Sequence, residues 1–448
     1  MKTLCDILRC RWLLALGLMM SAAGAWAALP IQHWTAANGA QVYLVESPAL
    51  PMVDIQIDLD AGARRDPMGQ AGLASATAQM MAKGVQARDG QAALDENALG
   101  EAWADLGAVF SASAGSDRLS LLLRTLTVPE LLDGAIRLAA RQLATPSFPA
   151  EVWVNERARW VAGLKESYTR PGTVAQRRFA TAVHGGHPYG QEPDEVSLNA
   201  IQAADMQAFH ARHFDSCRAR VSIVGALNRA QAEQRVLQLL AGLPASKPCP
   251  ALPAVAEVPA LTQAQTLRVP FESAQAHVLM GQPGFKRSDP DFFPLTVGNY
   301  ILGGGGFVSR LTEQVREKRG LSYSVYSYFA PGLHAGPFTV GLQTRPDQAD
   351  QALQVARDVV RSFVLEGPTD AELQAAKDNL IGSFPLRLDS NRKLLDNLAN
   401  MAWHQLPLDY LDTWTQAVQR VTVLDVRAAF ARKLQPERMV TVMVGAKP

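Results

Sequence analysis

Histidines are the first candidates for chemistry in this sequence, because paired imidazoles can bind a metal ion or transfer protons. His184 and His187 are three residues apart, and so are His210 and His213. Neither pair has an obvious third ligand nearby, and no Cys-x-x-Cys spacing suggests a metal or redox site. We therefore interpret these four residues as surface or capping histidines.

Two other segments could indicate catalysis or nucleotide binding, but each lacks part of its motif. Ser75 lies outside any Gly-x-Ser-x-Gly elbow, and no motif places a His or Asp as its partner. The run Gly303–Gly306 lacks the Lys-Ser/Thr of a phosphate-binding loop. We expect these glycines to permit a tight turn and close packing of the backbone.

A more specific signal lies just after this glycine run, where Arg316 and Tyr323 are seven residues apart in Arg-Glu-Lys-Arg-Gly-Leu-Ser-Tyr-Ser. A phenol can donate a hydrogen bond to the oxyanion of a tetrahedral intermediate, and a guanidinium can hold a peptide carbonyl or carboxylate. Without further context, the simpler interpretation is a solvated helix residue and a partly buried strand residue.

The elements that position these residues follow one order twice. Residues 53–59 alternate between apolar and polar, which predicts a strand buried on one face, and a helix is expected over about 72–83. Residues 119–123 predict a second strand, and an apolar stripe over 132–143 predicts a second helix. The second half repeats this order, with a strand at 338–342, a helix at 353–363 and a capping box at Thr369–Glu372.

A constant offset indicates that the chain is a duplication. Residues 205–214 match residues 425–434, and Val224-Gly225-Ala226 matches Val444-Gly445-Ala446, each with an offset of 220 residues. Residues 243–262 are rich in Pro and Ala and lack periodicity, as in a linker. We predict an α+β fold of two homologous α/β-sandwich-like halves, each a mixed sheet with helices packed on it, joined like a clam.

The N-terminus predicts export. Lys2, Arg9 and Arg11 precede an apolar run over residues 12–20, which is followed by Ala25-Trp26-Ala27. This is the pattern of a secretory signal peptide, and the run is shorter than the roughly 20 residues of a spanning helix. We predict a signal peptide over residues 1–27 and a periplasmic protein, with cleavage after Ala27 favoured over a retained anchor.

The remaining chain is long enough for two domains, which we place at residues 28–242 and 263–448, with a linker over 243–262. A formal net charge of +1 over 448 residues argues against nucleic acid or an anionic membrane as the main partner. Cys217 and Cys249 are the cysteines that remain after the signal peptide. A disulfide and two free thiols are both compatible with the sequence.

The segment over residues 61–84 resembles the zinc-binding helix of insulinase/pitrilysin-type metallopeptidases, together with the strand end that precedes it. In that family the helix carries His-x-x-Glu-His, in which the two imidazoles hold zinc and the Glu acts as general base. The resemblance extends over nearly the whole chain after the signal peptide. It places Ser75, Ala78 and Gln79 at the three motif positions.

These residues cannot replace two imidazoles and a carboxylate. Counted back from His187-Pro188-Tyr189-Gly190, which the family often shows, the third zinc ligand of the family falls on Gly163. Glu156 matches a second family glutamate, and we interpret it as a solvated helix residue. The resemblance therefore implies that the metal site has been lost and that this chain holds no cofactor.

The segment around Arg316 and Tyr323 resembles the family's C-terminal substrate-binding motif, whose Arg and Tyr face the zinc from the opposite domain. Some members of the family work as heterodimers in which one subunit holds zinc and the other contributes this pair. The resemblance implies a non-catalytic, substrate-binding subunit of a periplasmic zinc metallopeptidase, inactive alone, that supplies both residues in trans to a zinc-bearing homologue.

The expected substrate is an unfolded or extended peptide, which would add as a strand to an exposed sheet edge in the first half of one subunit. Two alternatives remain open at this stage. The chain could be a stand-alone peptide-binding or chaperone-like pseudoenzyme, or a structural subunit of an envelope assembly.

Overall fold

A computed structural model describes residues 30–88 and 90–447, and the predicted signal peptide lies outside them. The strands are β1 Gln32–Thr35, β2 Gln41–Glu46, β3 Met52–Leu59, β4 Gly84–Val85, β5 Leu94–Asp95, β6 Val109–Ala114, β7 Leu119–Leu126, β8 Arg220–Gly225, β9 Gln265–Val269, β10 Ala276–Pro283, β11 Ser324–Phe329, β12 Pro337–Thr344 and β13 Val440–Val444.

The α-helices are α1 Leu73–Met80, α2 Glu96–Asp105, α3 Pro129–Ala144, α4 Ala150–Ser167, α5 Pro171–His184, α6 Glu195–Ala200, α7 Ala203–His213, α8 Arg229–Leu240, α9 Phe292–Asn299, α10 Ala349–Glu366, α11 Asp370–Gly382, α12 Asn391–His404, α13 Tyr410–Arg420 and α14 Val423–Lys433. In the part of the chain that the structure describes, none is long and apolar enough to cross a membrane.

Two mixed sheets share one strand order, which confirms the predicted α+β fold of two like halves. The first sheet runs β1-β2-β8-β3-β7-β6 and the second runs β9-β13-β10-β12-β11. Apart from the extra β1, each position in one sheet has its counterpart in the other. The parallel pair is also the same, β2 with β8 in the first sheet and β9 with β13 in the second.

Local signals in the sequence give these elements their bounds. The predicted helix at 72–83 is α1 followed by a 3-10 turn, Met81–Lys83. Its N-terminus is set by Asp66, whose carboxylate accepts hydrogen bonds of 2.8 Å from the backbone N–H groups of Gly72 and Ala74. The capping box at Thr369 and Glu372 opens α11 as predicted.

The two halves exchange a helix in the sense that each contributes one helix that packs on the sheet of the other. α5, from the first half, packs on β10 and β13 of the second sheet, where Phe179 joins a cluster with Leu279 and Val442. α12, from the second half, packs on β3 and β8 of the first sheet. Their first residues, Pro171 and Asn391, keep the offset of 220, so the exchange is part of the duplicated unit.

The prediction that residues 53–59 are buried on one face was wrong. β3 is buried on both faces, and Asp54 and Asp58 are fully buried. The alternating pattern indicated a solvated polar face, but α12 covers that face. The carboxylates stay paired there, Asp54 with Arg124 at 2.6 Å and Asp58 with Arg118 at 3.1 Å.

The predicted linker, residues 243–262, contains neither helix nor strand and is bonded to the first half at several points and to Lys286 of the second half through Glu257. Cys217 and Cys249 form a disulfide, with their Cα atoms 5.8 Å apart. Further along, Arg65 donates a hydrogen bond of 2.5 Å to the carbonyl of Pro253, and His187 one of 2.9 Å to that of Ala256. The domain boundaries at 242/243 and 262/263 stay predictions.

Candidate functional site

α1 presents the three residues that stand at the motif positions. Ala78 is buried, whereas Ser75 and Gln79 are partly exposed. Gln79 Nε2 donates a hydrogen bond of 3.1 Å to Glu156 Oε2 on α4. Gly163, two turns further along α4, is exposed, and beyond its own helix backbone and neighbouring residues nothing described lies within 4 Å of the point that a Cβ would occupy there. The structure therefore joins Gln79 to Glu156 and leaves Gly163 apart.

Glu156 is a buried ion-pair acceptor, and its interpretation as a solvated helix residue was wrong. Only 4% of it is exposed. Its Oε1 atom lies 2.9 Å from Lys83 Nζ and 2.6 Å from Arg159 Nη2. Glu156 is buried where it contacts Gln79 of α1 and Lys83, which follows that helix, and a single helical segment does not reveal these contacts.

Lys83 supplies a permanent positive charge beside α1. Burial lowers the pKa of its ammonium group, but hydrogen bonds to Glu156 and Glu96 outweigh this effect and raise the pKa overall. The distance from Lys83 Nζ to Glu96 Oε1 is 2.5 Å. Two cations and an amide thus satisfy the carboxylate of Glu156 without a metal ion.

These residues do not fit a zinc ion. A protein site for zinc needs three or four N, S or O ligands at about 2 Å, and Ser75, Ala78 and Gln79 provide no imidazole or carboxylate. Among residues 30–88 and 90–447, no three His, Cys, Asp or Glu side chains converge as a metal centre requires.

Three of the four paired histidines are buried, so the interpretation as surface or capping residues was wrong for His184 and His213. His184, His187 and His213 are each no more than 5% exposed. His187 does act as a cap, because its Nδ1 accepts a hydrogen bond of 3.1 Å from the backbone N–H of Tyr189. Burial lowers the pKa of all three imidazoles, which keeps them neutral in these backbone hydrogen bonds.

Arg316 and Tyr323 come together at the surface of the second half. Arg316 lies in a π-helical segment, Thr312–Glu317, and Tyr323 lies just before β11. The Arg316 Cζ atom is 5.8 Å from the centre of the Tyr323 ring and 4.6 Å from that of Phe307. Tyr323 is 85% exposed, unlike the partly buried strand residue of the simpler interpretation.

A cavity of about 580 Å³ adjoins this pair, and residues 323–328 line one side of it. Gly303 lines another side, where a Cβ would lie only 2.5 Å from the backbone nitrogen of Ser327. Glycine is thus required for the approach of this segment to β11, as predicted. Asn299 closes the edge of β11 there, because its Nδ2 donates a hydrogen bond of 3.1 Å to the Ser327 carbonyl.

Sequence reasoning missed several residues at these two places. Lys83 and Asn299 act through contacts with distant segments, which no local pattern indicates. Tyr326 and Tyr328 had a local signal, since they alternate with buried Val325 and Ser327 in β11.

Comparisons with known proteins identify the family of this chain. Residues 200–380 match the family description "Peptidase M16 inactive domain". An uncharacterized zinc protease of Streptomyces coelicolor is 31% identical over 58% of this chain, which spans only 57% of that relative. A protein named non-peptidase homolog from Helicobacter pylori is 28% identical, with 87% of this chain and 88% of that protein covered.

A solved structure extends the similarity to the whole fold. The crystal structure of a peptidase M16 inactive domain from Pseudomonas fluorescens superposes with a TM-score of 0.87. The sequences are 34% identical, and the match covers 94% of this chain and 98% of that one.

Proposed function

This chain belongs to the insulinase/pitrilysin-type M16 peptidase family as an inactive-type homologue, and we propose that it is the substrate-binding subunit of a heterodimeric zinc metallopeptidase. One observation carries the proposal. Arg316 and Tyr323 lie together beside a cavity, Arg316 partly exposed and Tyr323 largely exposed, whereas α1 of the same chain offers no set of metal ligands. A chain that keeps the substrate-binding pair but offers no metal ligands on α1 would need a partner that supplies the metal site.

In the proposed complex, a zinc-bearing homologue supplies the metal ion and the general base. Arg316 holds a carbonyl or carboxylate of the peptide, and the Tyr323 phenol donates a hydrogen bond to the negative charge that develops on the scissile carbonyl. Loss of one such donor typically lowers the rate by roughly 10² to 10³.

The outer edge of β6 supports a peptide as the ligand. The sequence Val-Phe-Ser-Ala-Ser-Ala contains none of the charges or prolines that usually protect an edge strand. Gly115 N–H bonds to the Arg118 carbonyl, and the alternation of antiparallel pairs then turns the backbone groups of Phe110, Ala112 and Ala114 outward. An extended peptide could add there as a further strand.

We place this complex in the periplasm. The predicted signal peptide over residues 1–27 supports export, and the Cys217–Cys249 disulfide supports an oxidising compartment. Residues 28–242 would form the domain with the degenerate zinc site, and residues 263–448 the domain with the Arg/Tyr motif.

The test compares the purified chain alone with the chain co-purified with a homologue that retains His-x-x-Glu-His. Alone, it should bind no stoichiometric zinc and cleave no peptide, and the complex should do both. In the complex, Arg316→Ala and Tyr323→Phe should each lower kcat/KM by roughly 10².

Arg319→Ala is the matched control, because Arg319 belongs to the same charged run but bonds to Gln314 in the preceding helical segment. Zinc-dependent cleavage by the isolated chain would contradict the proposal. Unchanged turnover in both the Arg316 and Tyr323 variants would show that the pair is only structural.

The open edge of β6 also favours a second candidate, a stand-alone peptide-binding or chaperone-like protein. In that case the chain should bind unfolded peptides with the same affinity whether or not the homologue is present. An assembly that forms without peptide binding by either subunit would indicate a structural envelope subunit.

A further inference from the structure

The cavity beside Arg316 contains two tyrosines that the proposed reaction does not use. Tyr326 and Tyr328 project from one face of β11, with their ring centres 6.0 Å apart and their planes at 19°. They are 36% and 43% exposed. Large aromatic rings that remain exposed beside a cavity commonly contribute to binding.

Gly341 determines where the Tyr326 ring lies. Gly341 is opposite Tyr326 on β12, and a Cβ on this glycine would come within 2.5 Å of the Tyr326 ring atom Cζ. The ring therefore lies flat across the neighbouring strand. It is on the same face of the sheet as Leu279 and Val442, which α5 covers, and so the two tyrosines lie beside the helix from the other half.

The duplicated fold provides an internal reference for these residues. In the first half, Ser111 and Ser113 of β6 pair with Leu122 and Ser120 of β7. In the second half, Tyr326 and Tyr328 hold the equivalent positions of β11 and pair with Gly341 and Thr339 of β12. The first half therefore has serines where the second half has tyrosines. The shared topology does not require aromatic rings at this edge.

We infer that Tyr326 and Tyr328, seated by Gly341, form an aromatic platform that binds an aromatic side chain of the peptide held by Arg316. The inference deepens the proposed function and rests on it for the identity of the ligand as a peptide. A planar guanidinium could also stack on tyrosine, but here it would meet the positive charge of Arg316 in the same cavity. An aromatic side chain avoids this repulsion.

The experiment uses the chain alone and three fluorescent dodecapeptides of Gly, Ser and Thr that differ only at one central residue, Phe, Ala or Arg. Binding is followed by fluorescence anisotropy. The Phe peptide should bind roughly five- to tenfold more tightly than the Ala peptide, as expected for one aromatic contact. The Arg peptide should bind no better than the Ala peptide.

Two variants test the platform. Tyr326→Ser combined with Tyr328→Ser introduces the residue type of the first half and should reduce the Phe/Ala ratio to about one, because the contact surface is lost. Gly341→Ala keeps both tyrosines but displaces the ring of Tyr326. The Phe/Ala affinity ratio should therefore fall to a value between that of the wild type and that of the double variant. Tyr168→Ser, at another exposed tyrosine, is the matched control and should keep the ratio.

Equal affinity for the Phe and Ala peptides, or no detectable binding of either, would overturn the inference. So would an unchanged ratio in the double variant. Because no zinc-bearing subunit is present, the outcome is separate from the test of Arg316 and Tyr323. If the chain shows no preference for the Phe peptide but turnover by the complex still depends on Arg316, the aromatic platform is refuted and the proposed function still stands.

Discussion

The two halves have the same strand order but opposite chemistry on the sheet face that the exchanged helix covers, here called the inner face. In the first sheet this face carries Asp54, Asp58 and Ser222, all fully buried under α12. In the second sheet it carries Leu279 and Val442, packed against α5. The topology therefore tolerates either kind of inner face, provided that buried polar groups are paired.

The outer edges of the two sheets differ in the same way. β6 presents small residues and an unprotected backbone, whereas β11 presents two tyrosines and has its backbone closed by Asn299 at Ser327. Strand pairing and the core face are shared because they determine the fold. The inner faces and edges diverge because many side chains are compatible with them.

The largest expected effect comes from breaking the polar inner face. Arg124 bonds to the buried carboxylate of Asp54 at 2.6 and 3.0 Å. Arg124→Leu leaves that charge unpaired and should lower the free energy of unfolding by about 3 kcal/mol. Adding Asp54→Val removes the unpaired charge and should restore most of the loss. Urea denaturation measures both, and equal stability of the single and double variants would refute the argument.

Removing the disulfide should weaken the attachment of the linker to the first half. The Cys217–Cys249 bond closes a loop with a sequence separation of 32 residues. Replacing both cysteines by serine should lower the free energy of unfolding by about 2–3 kcal/mol, because the unfolded chain gains conformational freedom. The control is the wild-type chain under reducing conditions, which should match the variant. A variant as stable as the oxidised wild type would exclude this role.

Acid should destabilise the protein through two histidines, the buried His213 and the partly buried His404. Burial lowers the pKa of His213 on α7 and of His404 on α12 from 6.5 to about 4. As the pH falls, the two histidines are protonated in the unfolded chain before they are protonated in the folded protein. Their contribution to the free energy of unfolding is therefore full above pH 6.5 and is lost as the pH falls toward 4.

His213→Gln can keep the hydrogen bond to the Asp60 carbonyl without titrating. It should therefore reduce the loss of stability between pH 7 and 5 by about 1–2 kcal/mol, as measured by denaturation at several pH values. A wild-type slope in this variant would show that His213 is not responsible.

The smallest expected effect is on the closed edge of β11. Asn299→Ala removes two hydrogen bonds to Ser327, one to its carbonyl and one from its hydroxyl. The free energy of unfolding should fall by about 1 kcal/mol, and hydrogen exchange of the β11 amides should approach that of β6. If β11 remains as protected as in the wild type, Asn299 does not close the edge.

Much of this protein follows from its sequence alone. The offset of 220 residues predicts the duplication, and the residues at 75, 78 and 79 exclude the zinc ligands and base of the family. Both are local statements about residue type and spacing. The contact between Arg316 and Tyr323 is also within reach of sequence, because only seven residues separate them.

The tertiary structure decided what depends on contact between distant segments. Glu156 is buried where it contacts Gln79 and Lys83, and Asp54 is buried under α12, which comes from the other half. Alternating polarity shows only that a residue is polar. Whether it faces water or a buried partner depends on the element that covers it. For Asp54 that element is α12, which begins 337 residues further along the chain (391 − 54).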